Sequence, residues 1–278
     1  MRNLTFDMIK PLVPKRPEDS HKGSYGRVLA LCGSDFYRGA AALSCLGALK
    51  VGSGIVCLAS PECVIESIAS MIPEAIFIPL PNDALLLERA EKYDSILMGC
   101  GLSEETETLI TVRRLLTVSK GTVILDAGAL MSCGKDLTAL SIASERVIIT
   151  PHLGEMARLL GKEIGFVKEN AEFVAKNFAL QYGVTVVLKS HKTIIASPGG
   201  ETFINTTGNP GLAKGGSGDV LAGMIAGFAA QGLTPLESAQ AGVFLHGFAA
   251  DVLAQKKSMQ AMLPHQIPEA LEEVFLKL

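Results

Sequence analysis

Hydrophobic residues along the chain alternate between two patterns. Short aliphatic and β-branched runs at 27–31, 55–59, 75–78, 95–98, 122–125 and 147–150 are each followed by a stretch with helical spacing, such as 40–50, 104–118 and 155–160. Runs without polar alternation are buried on both faces once paired. Such strands, separated by helices, predict a mostly parallel sheet covered on both sides. After a helix predicted over 167–182 the pattern changes. The short runs 184–188, 193–196 and 201–204 are divided by Ser190-His191-Lys192 and by Ser197-Pro198-Gly199-Gly200, and they predict antiparallel hairpins at a sheet edge. Further helices are predicted over 220–231, 235–255 and 267–277. No linker, repeat or low-complexity block interrupts the series, so the expected architecture is one α/β domain over 1–278.

Composition narrows the function classes. Hydrophobic residues make up 48% and charged residues 19%, an ordinary globular balance. A formal net charge of -3 argues against nucleic acid or an anionic membrane as partner. With 5% aromatic residues and no Trp, stacking platforms for single strands are not expected. The six cysteines form no C-x-x-C pair and have no His at zinc spacing, so they read as buried thiols of a reducing compartment. Residues 1–22 lack the apolar stretch of a signal peptide, and no run approaches the roughly 20 apolar residues that span a bilayer. The expected location is the cytoplasm.

The strongest local signal is the segment from Asn205 to Asp219, with Gly208, Asn209, Gly211, Gly215, Gly216, Ser217 and Gly218 leading into an apolar helix. Glycines ahead of a helix let backbone N–H groups converge, and the unpaired amides of the first turn add a positive dipole end. The arrangement suits the phosphates of a nucleoside di- or triphosphate. Asp219 reads either as an ordinary helix cap or as a base that takes a proton from an attacking hydroxyl. No G-x-x-x-x-G-K-[ST] is present, so this is not a P-loop.

Four other segments carry candidate chemistry. In Thr150-Pro151-His152-Leu153-Gly154-Glu155 a strand ends where open α/β sheets bind ligands; His152 can donate to substrate, and Glu155 can hold a water of a Mg²⁺ shell. The turn Lys189-Ser190-His191-Lys192-Thr193 offers two cations for nucleotide phosphates and polar groups for base or ribose, although a solvated hairpin tip has the same composition. The glycine turns 33–41 and 98–103 permit close ligand approach, and Asp126 ends a strand at the same edge.

Taken in order, Lys22-Gly23-Ser24-Tyr25-Gly26, the 33–41 loop, Gly99-Cys100-Gly101-Leu102, Leu125-Asp126-Ala127, the 150–155 segment, Lys189 to Thr193 and Gly215-Gly216-Ser217-Gly218-Asp219 resemble the ADP- or ATP-dependent NAD(P)H-hydrate dehydratases of the ribokinase-like superfamily. The resemblance implies a three-layer ribokinase-like fold, with ADP (or ATP) as co-substrate and Mg²⁺ as cofactor. It implies phosphorylation of the hydroxyl on the hydrated nicotinamide ring of NADH or NADPH, followed by loss of phosphate. By position, Ala40, Gly101, His152 and Asp219 correspond to contacts with the hydrated dinucleotide. Lys189, Ser190, His191, Lys192, Thr193 and Gly218 correspond to contacts with the adenine nucleotide, beside the backbone cradle of Asn209, Gly215, Gly216 and Ser217. Asp219 corresponds to the base, and Glu155 to an indirect Mg²⁺ ligand. The resemblance also implies a homotetramer, with any epimerase on a separate polypeptide. Two alternatives share the glycine loop: a kinase of the hydroxymethylpyrimidine or hydroxyethylthiazole type, and a nucleotide-binding regulator without a base.

Overall fold

The computed structural model describes all 278 residues, Met1–Leu278. Its strands are β1 (Arg2–Asn3), β2 (Arg27–Leu31), β3 (Ile55–Pro61), β4 (Ile76–Leu80), β5 (Ser95–Met98), β6 (Thr122–Leu125), β7 (Val147–Ile149), β8 (Thr185–Leu188), β9 (Ile194–Ala196) and β10 (Thr202–Ile204). The helices are α1 (Phe6–Ile9), α2 (Arg38–Lys50), α3 (Glu62–Ile68), α4 (Asp83–Lys92), α5 (Thr106–Val118), α6 (Ala127–Cys133), α7 (Leu153–Leu160), α8 (Ile164–Glu169), α9 (Ala171–Tyr182), α10 (Ser217–Ala230), α11 (Pro235–Ala254) and α12 (Gln266–Phe275).

All ten strands join one sheet in the order β1-β10-β9-β8-β7-β6-β5-β2-β3-β4. Pairing is parallel except at β8–β9 and β9–β10. The predicted hairpins are therefore present. They do not end the sheet, because the short β1 pairs in parallel with β10 and forms the edge itself.

Side-chain alternation along each central strand sends residues to two separate cores. Val28, Ala30, Ile124 and Val187 face one side, packed by α2, α10, α11 and α12. Leu29, Leu31, Val123, Leu125, Val186 and Leu188 face the other, packed by α4 to α9. Double coverage explains why these strands show no regular alternation of polar and apolar positions.

The chain runs outward from β2 to β3 and β4, then returns to β5 on the opposite side of β2. The loops after β2 and β5 diverge at this point, and open sheets bind ligands at such a crevice. Leu31, Met98, Leu125 and Ile149 lie in register across β2, β5, β6 and β7. The residues just past them, from Cys32 to Thr150, consequently collect on one carboxyl edge.

Two predicted helices differ in outline. The 167–182 helix is two elements, α8 and α9, broken where Asn170 leaves helical geometry at φ -117°, ψ 29°. The helix expected from 220 opens at Ser217, so Gly218 and Asp219 belong to its first turn. No helix is long and apolar enough to cross a membrane.

Candidate active site

The start of α10 builds the site. Gly216 occupies its N-cap position with φ 100°, a left-handed conformation that an L side chain rarely adopts. Asp219 is thus the third residue of the helix and not its cap, as one reading of the sequence had it; no side chain caps α10. Ser217 N–H donates to Lys214 O at 3.3 Å, while the N–H groups of Gly218 and Asp219 have no partner in the chain and stay free for an anion.

A cleft of about 560 Å³ opens in front of this turn. Gly215, Gly216, Ser217, Gly218 and Asp219 line it, together with Asp126, His152, Glu155, Lys189, Ser190 and Thr193. A neighbouring chamber of about 450 Å³ is lined by His191, Asn205, Thr207, Asn209 and Gly247, and shares Ser190, Thr193 and His246 with the first. Most of the residues singled out from the sequence therefore meet in two adjoining spaces. Lys192 lines neither; its carbonyl accepts from Ser190 Oγ at 2.8 Å. Ala40 and Gly101 pack against each other beside the cleft. A Cβ placed on Gly101 would come within 2.9 Å of Ala40 Cβ, and Gly33 N–H donates to Cys100 O at 2.8 Å, which ties the loops after β2 and β5 together. A larger crevice of about 900 Å³, between Lys10, Arg16, Lys50 and Phe275, contains none of these residues.

At the cleft floor Asp126 follows the last residue of β6 and is 2% exposed. Its Oδ1 accepts from Thr150 Oγ1 at 2.6 Å and from Lys189 Nζ at 2.8 Å. Burial works against the Lys189 ammonium, but the carboxylates of Asp126 and Glu155 outweigh it and raise its pKa. Asp219 is pushed up to about 6, first by burial and then by the charge of Asp126; Cys100 and Lys189 act in the opposite sense. Ala127, next to Asp126, sits at φ 40°, a strained conformation for a residue with a Cβ.

His152 and Glu155 form a reciprocal capping box at the start of α7. His152 Nδ1 accepts from the N–H groups of Gly154 (3.0 Å) and Glu155 (3.1 Å), and Glu155 Oε2 accepts from His152 N–H at 2.7 Å. A neutral His152 therefore carries its proton on Nε2, the nitrogen left to donate to a ligand. On α11, His246 is buried with Nε2 unpartnered, and Ser217 Oγ is likewise without a partner. Burial holds the imidazole down to about 4, while the Ser217 carbonyl, which accepts from an imidazole N–H, favours the charged form. Asp251 orients the Asn209 loop, accepting from Gly208 N at 2.8 Å and Asn209 Nδ2 at 3.0 Å.

Potential metal ligands are few. Cys100, Asp126 and Asp219 offer atoms within 4.8 Å of one another. A thiol is a poor donor for Mg²⁺, and Lys189 already places a cation on Asp126. Glu155 fits better: one oxygen is committed to the capping box, and its residue lines the cleft where phosphates would bring their own oxygens.

Fold and cleft together define a ribokinase-like α/β protein whose cleft opens at a glycine-capped helix start. Residues 28–273 match the family model described as NAD(P)H-hydrate dehydratase, and the chain belongs to that family. It is 36% identical to the ADP-dependent (S)-NAD(P)H-hydrate dehydratase of Bacillus subtilis, over 98% of this chain and 96% of that protein. It is 39% identical to the bifunctional NAD(P)H-hydrate repair enzyme of Moorella thermoacetica, spanning all of this chain but only 54% of that protein. The chain thus covers about half the length of such bifunctional relatives. A crystal structure of the ADP/ATP-dependent NAD(P)H-hydrate dehydratase from Bacillus subtilis, co-crystallised with ATP and Mg²⁺, superposes with a TM-score of 0.84 at 32% identity, covering 99% of this chain and 98% of that one.

Proposed function

We propose that this protein restores NADH and NADPH from their hydrated forms, using ADP as phosphoryl donor, with ATP as the alternative. The observation that carries the reading is the placement of Asp219. Its carboxylate stands in the first turn of α10 beside the free amides of Gly215, Gly216 and Gly218, and its pKa of about 6 suits a base at neutral pH.

The chemistry follows from that placement. The hydroxyl on the hydrated ring attacks the terminal phosphorus while Asp219 takes its proton, and AMP leaves when ADP is the donor. The new phosphoester then breaks at carbon, assisted by the ring nitrogen; inorganic phosphate departs with the electron pair, and the adjacent ring carbon gives up a proton to restore the double bond. Hydroxide is a poor leaving group and phosphate a good one, so the second step needs little beyond positioning. Backbone amides at the helix start stabilise charge on the transferred group. Mg²⁺, bridged by water to Glu155, would neutralise phosphate charge.

In this reading the hydrated ring lies between Asp219 and His152 Nε2, against the Ala40 and Gly101 loops. The nucleotide lies along Lys189 to Thr193 and the Asn209 loop. The test is absorbance in the reduced-nicotinamide band on mixing the protein and Mg²⁺ with hydrated NADH and either ADP or ATP. A rise accompanied by AMP and phosphate is expected with ADP. A stable phosphoester without recovery of NADH would point to a kinase, and no turnover with either nucleotide would remove the proposal.

A further inference from the structure

Two carboxylates meet at the floor of the cleft and are held very differently. Asp126 accepts from Thr150, Lys189 and, at 3.5 Å, the Cys100 thiol. The same thiol stands beside Asp219, and the three groups' ligating atoms lie within 4.8 Å of one another. No N–H or O–H of the protein donates to Asp219. One carboxylate is saturated with donors; its neighbour is open to the cleft. When two carboxylates stand this close, charge on one disfavours charge on the other, and unequal hydrogen bonding sends the proton to the member with fewer donors.

We propose that Asp126 is a positioning residue for the reaction: clamped by Thr150 and Lys189 and linked to Asp219 through the Cys100 thiol, it makes Asp219 the proton acceptor. This rests on the reading of Asp219 as base. Asp126 touches neither substrate nor nucleotide in this role. It acts through charge, and the ion pair with Lys189 keeps that charge in place on a buried floor.

The groups facing Asp219 can be named from each element around it. Asp126 comes from the end of β6, and Cys100 from the loop after β5 with Cys32 behind it. Lys189 comes from the end of β8. His152 and Glu155, His246, and Lys214 complete the cleft from the start of α7, from α11 and from the loop before α10. Among the groups in contact with Asp219, Asp126 is the one that carries negative charge.

The experiment is the pH profile of kcat/KM with hydrated NADH and ADP. Replacing Asp126 with Asn removes the charge and keeps the shape. The acid limb should move to lower pH by about one unit or more, and the plateau should fall because a weaker base remains. A second pair reads the same network without touching Asp126. C100A removes a donor that favours ionised Asp219, so its limb should move to higher pH, and C100S should bring it back. A merely structural Asp126 would lower activity or stability and leave the limb where it is. If D126N does not fold, the opposite movements of C100A and C100S decide the case, and an unmoved limb in C100A overturns the proposal. Wild-type protein inert toward hydrated NADH would overturn the proposed function and this proposal with it. Active wild type with an unmoved limb in D126N would overturn this proposal alone.

Discussion

Lys189 reaches from the end of β8 to set its Nζ 2.8 Å from Oδ1 of Asp126, across the intervening β7. The pair is largely removed from water, with side-chain exposures of 19% and 3%. Deleting one partner of such a pair leaves an uncompensated charge, so K189M should lose about 3 kcal/mol of stability. D126N/K189M should recover much of that loss. Urea denaturation of the three proteins measures both.

Asp219 makes the folded state less stable as it ionises. Its pKa rises from 3.8 to about 6 on folding, so between those values the folded protein holds more protons than the unfolded chain. The carboxyl's contribution is fully present below pH 4 and is lost as pH rises through about 6. D219N should therefore be more stable than wild type at pH 8, by up to about 3 kcal/mol, and equal to it near pH 3.5. Thermal melts across that range would show the two curves converging at low pH, while turnover is lost throughout.

His246 acts with the opposite sign. Its pKa falls from 6.5 to about 4 on folding, so the stability tied to its neutral form is present above 6.5 and is lost as pH falls towards 4. H246Q should flatten the stability curve in that window. The imidazole resonances of wild type should show no titration between pH 6 and 8 by NMR.

At His152 the cap and the proposed ligand contact use different nitrogens, so two substitutions separate them. H152A removes the cap and should cost about 1 kcal/mol. H152N restores a capping oxygen but lacks the Nε2 donor, so it should melt near wild type while turnover with hydrated NADH falls about tenfold or more. Equal melting of all three proteins would rule out the capping role.

How much was legible in the sequence depended on distance along the chain. The glycine cluster ahead of α10 is local, and its residues point to the proposed anion site without tertiary information. Even there the helix start was placed three residues late, because Ser217-Gly218-Asp219 has weak intrinsic helix propensity and only tertiary packing winds it. The break at Asn170 was hidden because apolar spacing continues through it from α8 to α9. Asp126 and Lys189 are 63 residues apart, and only the register of β6, β7 and β8 brings them together. Lys189 read from sequence as a phosphate contact or as part of a solvated hairpin tip; its carboxylate partner could not be named. His246 lies in an apolar helix, where periodicity makes it look like filler. Its missing hydrogen-bond partner is visible only in three dimensions.

The cleft takes its walls from the ends of β6, β7 and β8 and from the opening of α10, each delivered by a different stretch of chain. A fragment missing any of these stretches lacks part of the cleft wall. During refolding, helices and local turns would form well before long-range strand pairing is complete. Regain of enzymatic turnover should therefore trail recovery of the circular dichroism signal, reporting the last contacts to close.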